Sequence, residues 1–426
     1  MTSALLTDHY ELTMLSAALK DGTADRHCVF EVFARRLPTG RRYGVVAGTG
    51  RLTELIERFR FGAADIDYLR GRGIVDDSTA RWLSGYRFGG EVSGYPEGEL
   101  FFPGSPILTV TGTFAESVIL ETLILSVLNH DCAIAAAAAR MVTAARGRPV
   151  IEMGSRRTHE SSAVAAARAA YLAGFAATSN LEAGRSYGIP TTGTAAHAFT
   201  LLHDNESAAF ASQVAALGKD TTLLVDTYDI SQGIRNAIAV AGPELRAIRL
   251  DSGDLSVLAA QSRQLLDSLG ATETKIVVSG DLDEYAIAAL AAEPVDSYGA
   301  GTAVVSGSGA PTAGLVYKLV EVDGRPVVKR SENKATVGGR KTAVRRHKPT
   351  GTATEEVVVS QGVPDWRPGD RLLQRDFIVA GDRAADLPTL EQSRERLHEA
   401  LISIPWEGLK LSGGDPAIPV IVIPAS

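Results

Sequence analysis

The sequence predicts an α/β protein: an irregular parallel (β/α) barrel of about seven strands, with an N-terminal α+β domain before it and a C-terminal extension after it. Two observations carry this expectation. Seven short apolar runs recur between Pro149 and Tyr298, separated by helical segments at roughly 25-residue spacing, which is the rhythm of βαβ units. Each run is followed at once by residues suited to chemistry, and parallel strands deliver such residues to one end of a sheet. The boundaries expected are 1–130, 131–310 and 311–426, with C-terminal segments packing on the N-terminal domain.

In the first domain, Asp8–Leu19 has helical periodicity, Cys28–Phe33 alternates like a half-buried strand, and Leu52–Phe59 is helical. Gly89–Thr113, rich in Gly and Pro, suits short antiparallel strands. Glu116–Arg146 is an Ala/Leu-rich helix with a break expected near Asn129-His130-Asp131. The seven runs follow: Pro149–Met153, Phe175–Ala177, Thr191–Thr194, Thr221–Val225, Ala247–Leu250, Lys275–Val278 and Val295–Tyr298. Leu181–Pro190, with Gly184, Gly188 and Pro190, is too short and broken for a regular helix, so an open doubly wound sheet is the fallback. After Ala303, Asp323-Gly324 between two apolar runs signals a hairpin. Lys329–Lys348 carries eight Lys/Arg and is expected to be a mobile basic loop. Short strands are expected in Glu355–Phe377 and an amphipathic helix over Leu387–Ile402.

Composition narrows the function. With 426 residues, 45% of them hydrophobic, and mean hydropathy +0.04, the chain can bury substantial cores. A net charge of −7 argues against a dedicated nucleic-acid binder, although local arginines and backbone N–H groups can hold an anion in an acidic protein. Two cysteines, Cys28 and Cys132, give neither a disulfide framework nor a thiolate metal cluster, and a cytoplasmic location is expected. Asp8, His9 and Glu11 are unlike a secretory leader. The apolar run Cys132–Ala139 is too short to span a bilayer, so no membrane role is expected.

The polar groups at the run ends supply the chemistry. His197 follows a run within Gly193–Phe199, among small residues that leave room for a ligand. Asp226 ends the next run and is expected to hydrogen-bond the imidazole, fixing its tautomer. Arg249 on a strand would be an unpaired interior charge unless it meets a carboxylate or an anion. Asp251 and Asp254 follow it, one of them expected to cap the next helix. Gly280-Asp281 and Gly299–Thr302 end the last two runs, where glycine-rich turns commonly hold a phosphate. Arg156 and Arg157 add cations, one expected to pair with Glu152 or Glu160. No zinc spacing, Walker loop or nucleophile elbow occurs. Thr221–Asp229, four apolar positions and then two acids, lacks the adjacent acidic pair and the Thr-Thr-Gly loop of a phosphoribosyl-pyrophosphate fingerprint.

Taken in order, Leu6–Met14, Phe30–Pro38, Gly154–Arg157, Gly193–Phe199, Leu250–Asp254, Ser297–Thr302 and Tyr317–Leu319 resemble nicotinate phosphoribosyltransferases, of the type II phosphoribosyltransferase class. The resemblance implies transfer of phosphoribose from 5-phosphoribosyl 1-pyrophosphate to nicotinate, with Mg²⁺ and with ATP as a cosubstrate. His197 matches the histidine phosphorylated by ATP, and Asp226 its supporting carboxylate. Tyr10, Thr194 and Arg249 match nicotinate contacts, Tyr10 being supplied across a homodimer. Arg156, Asp251, Gly280, Gly301 and Thr302 match groups on the phosphoribosyl part; Asp281 and Gly299 lie in the same turns. Asp251 and Asp254 are the Mg²⁺ candidates. Ser179 stands where sister nicotinamide enzymes usually carry an aspartate, and so implies an acid substrate. Met153 departs from the aromatic that commonly stacks on the pyridine ring, and Val337–Arg340 departs from a Pro-Gly turn. Alternatives are a nicotinamide or quinolinate phosphoribosyltransferase, or a non-catalytic metabolite-binding homologue.

Overall fold

The computed structural model describes residues 4–329 and 337–424. The chain divides into two compact units, residues 1–136 with 310–426, and residues 137–309.

The first unit is built on a seven-stranded antiparallel sheet in the order Arg325–Pro326, Leu315–Val322, His27–Ala34, Leu108–Thr113, Glu91–Gly94, Arg375–Val379, Asp382–Arg383. The interior strand His27–Ala34 is buried at every position after His27, and so is not half-buried as its alternation suggests. Cys28, Phe30, Val32 and Ala34 face the main apolar core, where Phe30 stacks on Tyr317. Its Glu31 is instead matched by buried Lys341 at 2.8 Å. That lysine opens Lys341–His347, part of a second sheet with Arg371–Leu372, Ala353–Ser360 and Val420–Ile423.

Part of the expected basic loop, Lys341–His347, is thus a strand; residues 330–336 lie outside the described residues. Arg345 is fully buried, ion-paired to Glu99 and, at 2.7 Å, to Glu356, while Arg371 reaches the other Glu99 oxygen at 2.6 Å. Tyr95 donates to Glu356 at 2.7 Å. Charges placed this deep need such partners. The hairpin forms as expected, with Asp323 and Gly324 both at positive φ.

The N-terminal helix His9–Asp21 points the buried Glu11 at Thr122, whose N–H donates to it at 2.9 Å. A carboxylate at a helix start satisfies free N–H groups and complements the dipole. It marks the true interruption of the long helix: Phe114–Val118 ends at Ile119, and Glu121–Ala145 runs through Asn129–Asp131 without a break. By length and composition Phe114–Ala145 would suffice to cross a membrane. The run Cys132–Ala139 within it, however, is buried in the protein throughout.

The second unit holds six parallel strands in the order Ala177–Thr178, Val150–Glu152, Ser297–Ala300, Lys275–Ser279, Ala247–Leu250, Thr222–Leu224, with helices between them. This is a curled half-barrel. The expected strand at Thr191–Thr194 is reduced to one bridge, Thr191 to Thr178, made by two backbone hydrogen bonds of 3.0 Å. Among the described residues no ladder closes the sheet between its two edge strands. Leu181–Tyr187, expected to be irregular, is a short helix capped by Asn180 and stopped by Gly188 in the left-handed conformation.

Candidate active site

The register of the parallel strands brings their C-terminal ends together: Leu224 pairs with Arg249, Arg249 with Val277, Ser279 with Gly299, and Ala300 with Glu152. The polar residues that follow divide between two tasks. Asn180, Asp229, Asp254 and Asp283 cap the next helices, each accepting a backbone N–H from the first turn. Asp254, expected as a metal candidate, spends Oδ1 on Val257 N. The others face a cavity of about 210 Å³ lined by Met153, Arg156, Arg157, Arg249, Asp251, Ser279, Gly280, Asp281, Gly299, Gly301 and Thr302.

Arg249 organises this cavity. Its Nε donates to Ser279 Oγ at 2.7 Å, its NH1 to Thr194 Oγ1 at 3.0 Å, and its NH2 to Asp251 Oδ1 at 2.8 Å. Ser279 also donates to Asp251 Oδ1. Burial would raise the Asp251 pKa. Hydrogen bonds from Ser279 and Arg249, with the charges of Arg249 and His197, outweigh it and hold the carboxyl below its ordinary value. Ser279 escapes a reading by apolar runs because it lies one residue past Lys275–Val278. It completes the strand, and only the register shows it between Arg249 and Asp251.

The glycines serve close approach. A side chain at Gly299 would stand 2.8 Å from Met153 Sδ, and Gly280 adopts φ +130°, a conformation that side chains rarely take. Arg156 and Arg157 are exposed on this cavity, and among the described residues no carboxylate pairs with either. The expected pairing fails because Glu152 is buried and accepts from Gly154 N and from Thr178 Oγ1 at 2.5 Å, while Glu160 lies beside His159. An acidic protein thus presents a cleft with two uncommitted guanidinium groups, glycine backbone and a half-buried Arg–Asp pair, which is suited to a polyanion.

His197 begins the helix His197–Leu201, with Nδ1 3.1 Å from Thr227 Oγ1. Its Nε2 stands 3.9 Å from Asp226 Oδ1, too far for the hydrogen bond expected. Asp226 Oδ2 accepts from Asp251 N at 2.9 Å and from Ser252 Oγ at 2.8 Å, whereas Oδ1 is buried with no partner. Thr194 and His197 thus join Arg249, Asp226 and Asp251 at one mouth.

Ser179 follows the strand Ala177–Thr178, is exposed, and does not line the cavity. Tyr10 belongs to the first unit, half-exposed on its helix beside Glu121, with a phenol pKa raised by burial and by that carboxylate. It is not among the residues that the second unit assembles. No group of three or more His, Cys, Asp or Glu among the described residues could hold a metal by itself.

Comparison with known proteins adds identity to this geometry. Residues 5–129 match the family described as the nicotinate phosphoribosyltransferase (NAPRTase) N-terminal domain, and residues 134–309 the quinolinate phosphoribosyl transferase C-terminal domain. The chain is 61% identical to the nicotinate phosphoribosyltransferase pncB1 of Mycobacterium tuberculosis, covering 99% of this chain and 96% of that one. It is 39% identical to the Bacillus subtilis nicotinate phosphoribosyltransferase, over 80% of this chain and 73% of the relative. The crystal structure of human nicotinic acid phosphoribosyltransferase superposes with a TM-score of 0.86 at 27% identity, covering 98% of this chain and 97% of that one. That of a nicotinate-nucleotide pyrophosphorylase from Pyrococcus furiosus does so with a TM-score of 0.79 at 26% identity, over 94% and 95%. The chain belongs to the nicotinate phosphoribosyltransferase family.

Proposed function

We propose that this protein transfers the 5-phosphoribosyl group of 5-phosphoribosyl 1-pyrophosphate to nicotinate, giving nicotinate mononucleotide and pyrophosphate in NAD salvage. Transfer is coupled to ATP through a phosphohistidine at His197. The observation that carries the reading is the cavity where the uncommitted Arg156 and Arg157 face the Arg249–Ser279–Asp251 group. The pyridine nitrogen attacks the anomeric carbon as the bond to pyrophosphate breaks, so positive charge develops on the sugar and negative charge on the leaving group. Asp251, kept ionised, stabilises the first; the arginines and the backbone of Gly280, Gly301 and Thr302 stabilise the second. Arg249 and Thr194 hold the nicotinate carboxylate.

Magnesium fits as an ion that arrives on the substrate. Mg²⁺ commonly binds through one or two carboxylates plus substrate phosphates, and Asp251 offers an ionised carboxylate anchored through one oxygen. When bound, it supplies positive charge to the departing pyrophosphate. For the phosphohistidine, a ring proton on Nε2 faces the unsatisfied Asp226 Oδ1, which leaves the Nδ1 lone pair as the nucleophile.

Leu181 and Tyr228 are large, exposed, and set just after strand ends of the second unit, and Leu201 and Leu202 are exposed at the end of the helix that His197 begins. They support a homodimer in which a second copy covers this mouth and supplies Tyr10. Pyrophosphate release measured with nicotinate, nicotinamide and quinolinate, each with and without ATP, tests the reading. Turnover with nicotinate that ATP accelerates is expected. Turnover with quinolinate alone, or with none of the three, overturns it.

A further inference from the structure

The two turns that shape the anion cavity have almost no side chains with which to hold themselves. One is Gly280-Asp281; the other is Gly299–Thr302, three of whose members line the cavity. Behind them lies a buried group that none of the chemistry above uses. Glu284, fully buried, begins the helix Glu284–Ala289 that leaves the first turn. Its Oε1 accepts Arg140 Nε at 2.9 Å, and its Oε2 accepts the hydroxyl of Ser308. Arg140 is itself buried on the long helix and also reaches the Tyr285 hydroxyl at 3.2 Å.

Ser308 lies beyond the far end of the helix that leaves the second turn. The helix Thr302–Val305 starts at the cavity and ends in Gly307-Ser308-Gly309, where all three residues have positive φ, 66°, 48° and 81°. Ser308 N bonds back to Ala303 O at 2.7 Å, and Gly307 N to Val304 O at 3.1 Å. A serine between two glycines in the left-handed region is costlier there than a third glycine. Its hydroxyl explains its presence, because it is the atom that meets Glu284.

We propose that Glu284 is a positioning residue for the pyrophosphate cavity. Oriented by Arg140, it ties the Gly280-Asp281 turn to the Gly299–Thr302 turn through Ser308 and fixes the spacing of their N–H groups. One carboxylate thereby sets the width of a cradle it does not touch. A donor set misplaced by a fraction of an ångström binds its anion less well. The inference rests on the functional reading above, which makes this cavity the site of 5-phosphoribosyl 1-pyrophosphate.

Titration calorimetry of the intact protein with 5-phosphoribosyl 1-pyrophosphate and Mg²⁺ tests it in Ser308→Gly and Ser308→Ala, with KM for nicotinate measured alongside. Glycine suits the backbone at 308, so that variant keeps its fold while losing the hydroxyl. Affinity at least fivefold weaker in both, with the nicotinate KM within twofold of the parent, is expected. Ser308→Asn, which tolerates the left-handed conformation and offers an amide donor, should recover part of the loss. A loss below fivefold, or an equal rise in the nicotinate KM, overturns the inference. Failure of the unmodified protein to bind 5-phosphoribosyl 1-pyrophosphate would instead refute the functional reading.

Discussion

Asp226 turns one satisfied oxygen to the backbone of Asp251 and one buried, unsatisfied oxygen toward His197 Nε2, 3.9 Å away. Buried acceptors without partners are uncommon and costly. Here the nearest side-chain nitrogen is that Nε2, which would meet the oxygen if the ring shifted closer.

Asp226→Asn removes the charge proposed to support a phosphorylated ring. It should abolish ATP stimulation while leaving ATP-independent transfer within about threefold, and His197→Ala should do the same. Steady-state rates with and without ATP, together with acid-labile phosphate bound to the protein, measure this. Undiminished ATP stimulation in either variant would refute the histidine's role.

Arg156 and Arg157 have no ion pair among the described residues, so their removal separates binding from stability. Arg156→Ala should raise KM for 5-phosphoribosyl 1-pyrophosphate by about tenfold or more, consistent with losing one charge-assisted contact of about 1.5–3 kcal/mol. Thermal unfolding should remain within about 1 °C. A large drop in melting temperature would show that the arginine serves the fold.

Asp251 has a folded pKa below its unfolded value, so its contribution to stability is fully present above the unfolded value. It is lost as pH falls through the lower folded one. Ser279→Ala removes one of the bonds responsible. It should move this loss to higher pH and shift the acid limb of kcat/KM the same way. Acid unfolding curves between pH 2 and 6 and pH–rate profiles report the two effects.

Glu99 follows the same sign more strongly. Burial alone would raise it, but Arg345 and Arg371 bring its pKa down to about 2. The stability it confers is thus present above the ordinary carboxylate range and fades as pH falls toward 2. Arg345→Met would strand Glu99 and Glu356 without their shared cation, at a cost of about 3–5 kcal/mol, read from urea unfolding.

Substrate choice gives a further test. Nicotinate should be preferred over nicotinamide by at least about tenfold in kcat/KM, or about 1.4 kcal/mol. Comparable turnover of the amide would contradict the assignment of Arg249 to a carboxylate.

Much of the site is legible in the chain because parallel strands convert sequence order into spatial convergence. His197, Asp226, Arg249, Asp251, Gly280 and Gly301 follow successive runs. What sequence leaves hidden is pairing over distance. Lys341 and Arg345 read as solvated charges because their partners Glu31 and Glu99 lie some three hundred and two hundred and fifty residues away. Only the register of two sheets brings them together. Ser279 and Thr227 are hidden for a related reason, each being an ordinary hydroxyl until a segment some thirty residues away supplies its partner, Arg249 for one and His197 for the other. The capping role of Asp254 needed the helix start to be seen.

The backbone of the stretch that bears Thr194 and leads into His197 is fastened to the sheet by the two hydrogen bonds that Thr178 exchanges with Pro190 and Thr192, and the Thr194 side chain by one from Arg249. Releasing the two backbone bonds costs about 1–3 kcal/mol, a sum available to thermal motion. The imidazole therefore rides on a tether, whereas the anion cradle is set in fully laddered strands. Under the proposed function, a histidine that serves ATP at one moment and a sugar pyrophosphate at the next could travel between them without the strand ends beneath it giving way.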